Sequence, residues 1–139
     1  MRILGMDYGE RRIGLAVSDP TGTFASPIGF MENRPRETLV SRLHALCKER
    51  DVSSIVLGLP LHMSGKDGTH AAVVRQLAEE LRTATGFTVI LQDERLTTVS
   101  AEKALLEADL RRDRRRVLRD TVAAQMILQN HLDGLAINQ

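Results

Sequence analysis

The sequence predicts an α/β domain built on a five-stranded mixed sheet. Three observations carry that prediction. Short, almost wholly apolar runs of strand length recur along the chain. The first three are joined by connections too short to hold a helix. The later ones are separated by segments whose apolar residues fall at helical spacing, the alternation expected of an α/β fold. A chain of 139 residues is one domain's worth, so residues 1–139 are read as a single domain.

The elements follow in order. Ile3 to Asp7 reads as a strand buried on both faces and ending at an acid. Ile13 to Val17 follows after a tight connection through Gly9. There Ile13, Leu15 and Val17 share one face, while Gly14 and Ala16 keep the other small. Phe24 to Met31 is a third strand. Pro27 inside it cannot donate a ladder hydrogen bond, which places this strand at a sheet edge. Leu39, Leu43, Leu46 and Cys47 make one helical stripe, so Cys47 reads as a core residue and not as a nucleophile. Ile55 to Leu57 is the fourth strand, closed by Gly58-Leu59-Pro60. Val73, Val74, Leu77, Ala78 and Leu81 mark a second helix that stops near Gly86. Phe87 to Leu91 is the fifth strand. A helix capped at Thr97 or Thr98 carries Ala101, Ala104, Leu105 and Ala108, and a last helix carries Val117, Thr121, Ala124, Leu128 and Leu132. Strands 1–3 are expected antiparallel, with strands 4 and 5 parallel to strand 1. Leu61 to Thr69, with Gly65 and Gly68, is the expected mobile loop.

Composition narrows the function classes. Hydrophobic residues make up 42% and charged residues 27% of the chain. Those values exclude a disordered chain, and no apolar run is long enough for a membrane span. The early Asp7 argues against a signal peptide, and the lone Cys47 cannot form an internal disulfide, so a cytoplasmic location is expected. The net charge of +1 conceals a local patch. Residues 111–119 hold six arginines and one aspartate, leaving the remainder net negative. Such a patch suits a nucleic-acid backbone, or is a solvated helix face.

Acids stand out at three places. Asp7 ends the first strand, Asp93 and Glu94 follow the fifth directly, and Asp120 interrupts the apolar side of the last helix. Parallel strands bring Asp7 and Glu94 to the end of the sheet where α/β folds bind ligands. Converging carboxylates favour hard divalent ions with oxygen ligands, Mg²⁺ or Mn²⁺, and a pair of such ions suits phosphoryl transfer. Arg11, Arg12, Arg95, Arg114, Arg115 and Arg116 are the candidate phosphate-binding residues. Aromatic residues are only 3% of the chain, which argues against recognition by base stacking. Tyr8, beside Asp7, is the one aromatic expected to touch substrate.

Gly5-Met6-Asp7-Tyr8-Gly9-Glu10-Arg11-Arg12-Ile13-Gly14-Leu15-Ala16 resembles the opening signature of the YqgF family, also called RuvX. Further resemblance lies in Gly58-Leu59-Pro60 with Met63 and Gly65, and in Asp93 to Thr98. It continues in Asp120 followed by Ala123-Ala124, Ile127-Leu128-Gln129 and Leu132. The resemblance implies an RNase H-like fold with helices on both faces of the sheet, related to the resolvase RuvC. It also implies a pre-16S rRNA nuclease with metal ligands at Asp7, Glu94 and Asp120. His62 departs from the small or amide side chain expected in its loop. Related resolvases place four acids where three are clear here, and Asp93 or Asp19 is the open candidate for the fourth. Adjacent residues on an extended chain face opposite ways, so only one of Asp93 and Glu94 faces the metals. Family resemblance selects Glu94.

The leading expectation is therefore a divalent-metal-dependent endonuclease on structured nucleic acid, either precursor rRNA or junction DNA. Ribosomal particles are a candidate partner, and the chain is expected to be a monomer or homodimer. The alternatives are a Holliday-junction-type DNA resolvase, a nucleotide hydrolase and a non-catalytic nucleic-acid-binding module of ribosome assembly. The hydrolase reading rests on the Asp7-Tyr8-Gly9 turn, and Gly58 to Lys66 lacks the spacing of a P-loop. His62, His70 and Cys47 lack zinc-site spacing.

Overall fold

The structure, a computed structural model, describes residues 2–59, 69–93 and 112–137. Its elements are β1 (Arg2–Asp7), β2 (Arg12–Ser18), β3 (Ala25–Glu32), a 3₁₀ turn (Arg36–Thr38), α1 (Leu39–Glu49), β4 (Val52–Leu59), α2 (Thr69–Thr85), β5 (Thr88–Asp93) and α3 (Arg112–Ile137). The helix expected from Thr97 or Thr98 and the loop around His62 lie outside the described residues.

The sheet has the order β3-β2-β1-β4-β5. β1, β2 and β3 are antiparallel neighbours, and β4 and β5 run parallel to β1 and to each other. The expected mixed sheet is thus observed, with β3 at one edge. Pro27 sits where that edge needs no donor from it. The register slips between Leu15 and Ala16, whose partners are Gly29 and Pro27, so Ile28 is bulged out. Gly29 adopts φ +104° there, in the left-handed region open to glycine.

Two cores cover the two faces. On one, Leu4, Met6, Ile13, Leu15, Ile55 and Leu57 pack under α1 and α2. Leu39, Leu43 and Cys47 of α1 and Val74, Leu77 and Leu81 of α2 complete it, while Val73 turns outward. On the other, Ala16, Ala25 and Val56 meet Ala124, Ile127, Leu128 and Leu132 of α3. Small residues let this helix lie close. A methyl group placed on Gly5 would stand 2.6 Å from Leu128 Cβ and 3.0 Å from the Ala124 carbonyl oxygen.

Side-chain amides fasten α3 to the sheet. Gln125 Nε2 donates to the Ala25 carbonyl (3.1 Å) and Gln129 Nε2 to that of Thr23 (2.9 Å). Gln129 Oε1 accepts the Ala25 N–H (2.9 Å), and Gln92 Nε2 of β5 donates to the Ile127 carbonyl (2.9 Å). Ala124 and Leu128 lie over Gly5, and Leu132 lines one hollow with Ile3, Thr21 and Thr23 at the other end of β1. The helix therefore runs opposite to β1, and its earlier turns lie toward Asp7.

Candidate active site at the carboxyl ends of the parallel strands

Asp7 is the last residue of β1 and is half-buried. Alternation along the strand decides which way it faces. Leu4 and Met6 enter the α1/α2 core, whereas Ile3 and Gly5 meet α3. Asp7 therefore shares the α3 face. Asp120 lies on α3 one turn before Ala124, on the side of Gly5 toward Asp7. For Asp120, Arg114, Arg115 and Arg116 the structure describes the helical backbone. Glu94 and Arg95 lie outside the described residues.

The two candidates for a fourth acid fare differently from Asp7. β2 runs antiparallel to β1, so Asp19, just after it, stands at the opposite end of the sheet. There it holds the β2–β3 turn. Its carboxylate accepts the N–H groups of Thr23 (2.8 Å) and Phe24 (2.9 Å) and the Thr21 hydroxyl. The Phe24 N–H and then the Thr21 hydroxyl lower its pKa to about 2. Asp93 ends β5 at the same end as Asp7. However, Val89 and Leu91 enter the α1/α2 core while Gln92 reaches α3, so alternation turns Asp93 to the face opposite Asp7. Glu94 stands two residues after Gln92 in the sequence.

The β1–β2 turn is held by a residue that no sequence motif singles out. Asn33 follows β3 directly, and its backbone N–H donates to the Arg11 carbonyl (2.9 Å). Its Nδ2 donates to the Tyr8 hydroxyl (2.9 Å) and to the carbonyls of Gly9 (3.0 Å) and Glu10 (3.2 Å). Asn33 is buried, so these bonds work in a low-dielectric setting. Gly9 is needed in the same turn, because a Cβ there would stand 2.3 Å from the Arg12 carbonyl oxygen. The turn presents Arg11 exposed and Arg12 half-buried beside Asp7. Tyr8, beside Asp7 in sequence, is turned to the other face of the sheet. Its ring packs against the α1/α2 core and makes an edge contact with His70 at 5.3 Å between centroids.

The donor set on the Asp7 side fits a hard divalent cation. Asp7 offers oxygen, and among the described residues Cys47, His44 and His70 are engaged elsewhere. Cys47 is buried in the core, and desolvation pushes its thiol up to about 11. His44 packs edge-on against Phe87, and His70 against Tyr8. His131 is half-buried on α3, where burial lowers its pKa. Among the described residues no three metal-ligating side chains assemble. A complete site of the expected kind needs Glu94 and the Asp120 carboxylate.

Comparison with known proteins adds the family. A family model described as RuvX, Holliday junction resolvase, matches residues 1–134. A protein of Syntrophomonas wolfei subsp. wolfei is 47% identical over 134 residues, covering 96% of this chain and 95% of its own. One of Roseiflexus sp. is 42% identical over 133 residues, covering 96% and 94%. Both bear the name "Putative pre-16S rRNA nuclease". Among solved structures, T. thermophilus RuvC in complex with a Holliday junction substrate matches with a TM-score of 0.59 and 14% identity, covering 98% and 96% of the two chains. The fowlpox virus Holliday junction resolvase matches with a TM-score of 0.57 and 15% identity, covering 96% and 99%. At these identities the likeness is one of fold.

Proposed function

The chain belongs to the RuvX family, and from that premise we propose that it is a divalent-metal-dependent endonuclease that trims precursor 16S rRNA. Near-full-length similarity to relatives bearing a pre-16S rRNA nuclease name carries the reading. Asp7 on the α3 face of the sheet's carboxyl end supports it physically. Asp7, Glu94 and Asp120 are the proposed ligands of Mg²⁺ or Mn²⁺. A pair of such ions held by these residues would supply water activation and stabilisation of the leaving oxygen of a phosphodiester.

The chain's own residues supply the rest. Arg11 and Arg12, presented by the turn that Asn33 holds, take phosphates on the β2 side of Asp7. Arg95 and the cluster Arg114, Arg115 and Arg116 take those on the α3 side. Because α3 runs opposite to β1, its first turns extend past the end of the sheet, so the cluster tracks the strand leading away from the cleavage point. We read residues 1–139 as one nuclease domain acting in the cytoplasm on RNA, within precursor ribosomal particles. No described helix is long and apolar enough to cross a membrane.

The test is cleavage of a labelled 16S precursor by wild type and Asp7→Asn, with a four-way DNA junction as a parallel substrate. Wild type is expected to cut the RNA in Mg²⁺ and to stop in excess chelator. Asp7→Asn keeps the shape and loses a charged ligand, so its kcat should fall at least about 100-fold with an unchanged melting temperature. Cleavage that survives chelation or the substitution overturns the metal-site reading. Preferential cutting of the junction transfers the activity to DNA.

A further inference from the structure

Asp7, Gly14 and Phe30 form one row across the sheet. Asp7 is paired with Gly14, and Gly14 with Phe30, so all three belong to the α3 face. Phe30 stands two strands from Asp7, about 10 Å at the usual strand spacing. The residue between them has no side chain. Phe30 is 42% exposed, an aromatic ring held in water on an edge strand and outside both cores. The Arg12 guanidinium lies over it, 5.3 Å from the ring centroid.

An exposed ring paired with a cation offers two complementary surfaces. A nucleobase stacks on the ring, and its phosphate meets the cation. Tyr8, the other aromatic near Asp7, is turned into the opposite core and held by Asn33. We propose that Phe30, with Arg12 over its ring, is a stacking platform for an unpaired base close to the phosphodiester that Asp7 addresses. The proposal rests on the nuclease reading above. It adds a geometric preference: the substrate near the cut has at least one base free to leave its stack.

The test measures binding of a fluorescein-labelled single-stranded precursor RNA by the full chain, with Ca²⁺ in place of Mg²⁺ to withhold cleavage. The variants are Phe30→Ala, Phe30→Leu and Phe30→Tyr. Ala and Leu are expected to weaken binding about 10-fold or more, and Tyr to stay within about 2-fold of wild type. The slope of log K against log[salt] should be unchanged, because no phosphate contact is lost. A scan of single abasic sites should find one position whose removal costs wild type about as much as Phe30→Ala does. Removing that base should cost the Ala variant nothing further. Full affinity in Phe30→Ala or Phe30→Leu, or abasic penalties that persist in full in Phe30→Ala, overturns the platform. If wild type cleaves and the variants match it, only the platform falls. If wild type neither binds nor cleaves RNA, the nuclease reading falls and takes the platform with it.

Discussion

Asp19 shows how one carboxylate can be read two ways until its neighbours are known. Its hydrogen bonds to Phe24, Thr21 and Thr23 favour the charged form and hold its pKa at about 2, below the ordinary 3.8. A depressed carboxylate stabilises the fold fully above the unfolded value, and that contribution is lost as pH falls through the folded one. Stability should therefore decline between about pH 4 and pH 2, and Asp19→Asn should lack that part of the decline. Urea midpoints of the two proteins at pH 6, 4, 3 and 2.5 check this, and curves that fall in parallel through the window would refute it. The sequence already holds half the answer. A hairpin strand ends opposite its partner's end, so Asp19 has to stand away from Asp7. Tyr8 is legible in the same way, because strand alternation sets it against Asp7. Asn33 is not legible. Its bonds to residues 8–11 depend on β3 returning to the end of the sheet where β1 stops, a non-local event with no local mark.

At the scale of elements, the contact between β1 and α3 decides where the last helix lies. Gly5→Ala places a methyl 2.6 Å from Leu128 Cβ. Overpacking of this kind costs about 1–3 kcal/mol. The same shift moves the helix that carries Asp120, so cleavage should fall with stability. Adding Leu128→Gly removes the Cβ that the new methyl meets, and the double mutant should be more stable than the sum of the single effects. Thermal melts of the four proteins of this cycle measure the coupling, and strict additivity would refute it. The first turns of α3 make a separate prediction. Each phosphate neutralised contributes about 0.7–0.9 to the slope of log K against log[salt]. Arg114→Ala, Arg115→Ala and Arg116→Ala together should flatten that slope and weaken binding to all sequences alike. An unchanged slope would make the cluster a solvated face. The elements themselves are largely readable, since apolar runs mark β1, β2, β4 and β5 and stripes mark α1 and α3. Val73 is the exception: two adjacent valines both look like core residues, and only Val74 is buried. The bulge at Ile28 leaves no pattern beyond Gly29.

Taken as a whole, the molecule separates its two ends. The parallel strands deliver Asp7 and Asp93 to one end, and the Asp19 turn closes the other. The logic of the strand order is readable from the residues, with Pro27 marking the edge, but the way that edge is finished is not. Ala25, the first residue of β3, commits both backbone groups to Gln125 and Gln129 of α3. Pro27 has no N–H to offer, and the bulge at Ile28 bends the rest of β3. An unfinished edge strand is a template for another chain, and proteins with such edges aggregate. The amides and the proline therefore act as a guard against runaway sheet growth in a crowded cell. Pro27→Val restores an N–H to that edge, far from Asp7 and without loosening α3. The variant should scatter light on mild heating at concentrations where the wild type stays clear, while its cleavage rate, measured when dilute, is unchanged. The property at stake is how long the protein remains in solution, and selection on it would reach residues that no substrate ever touches.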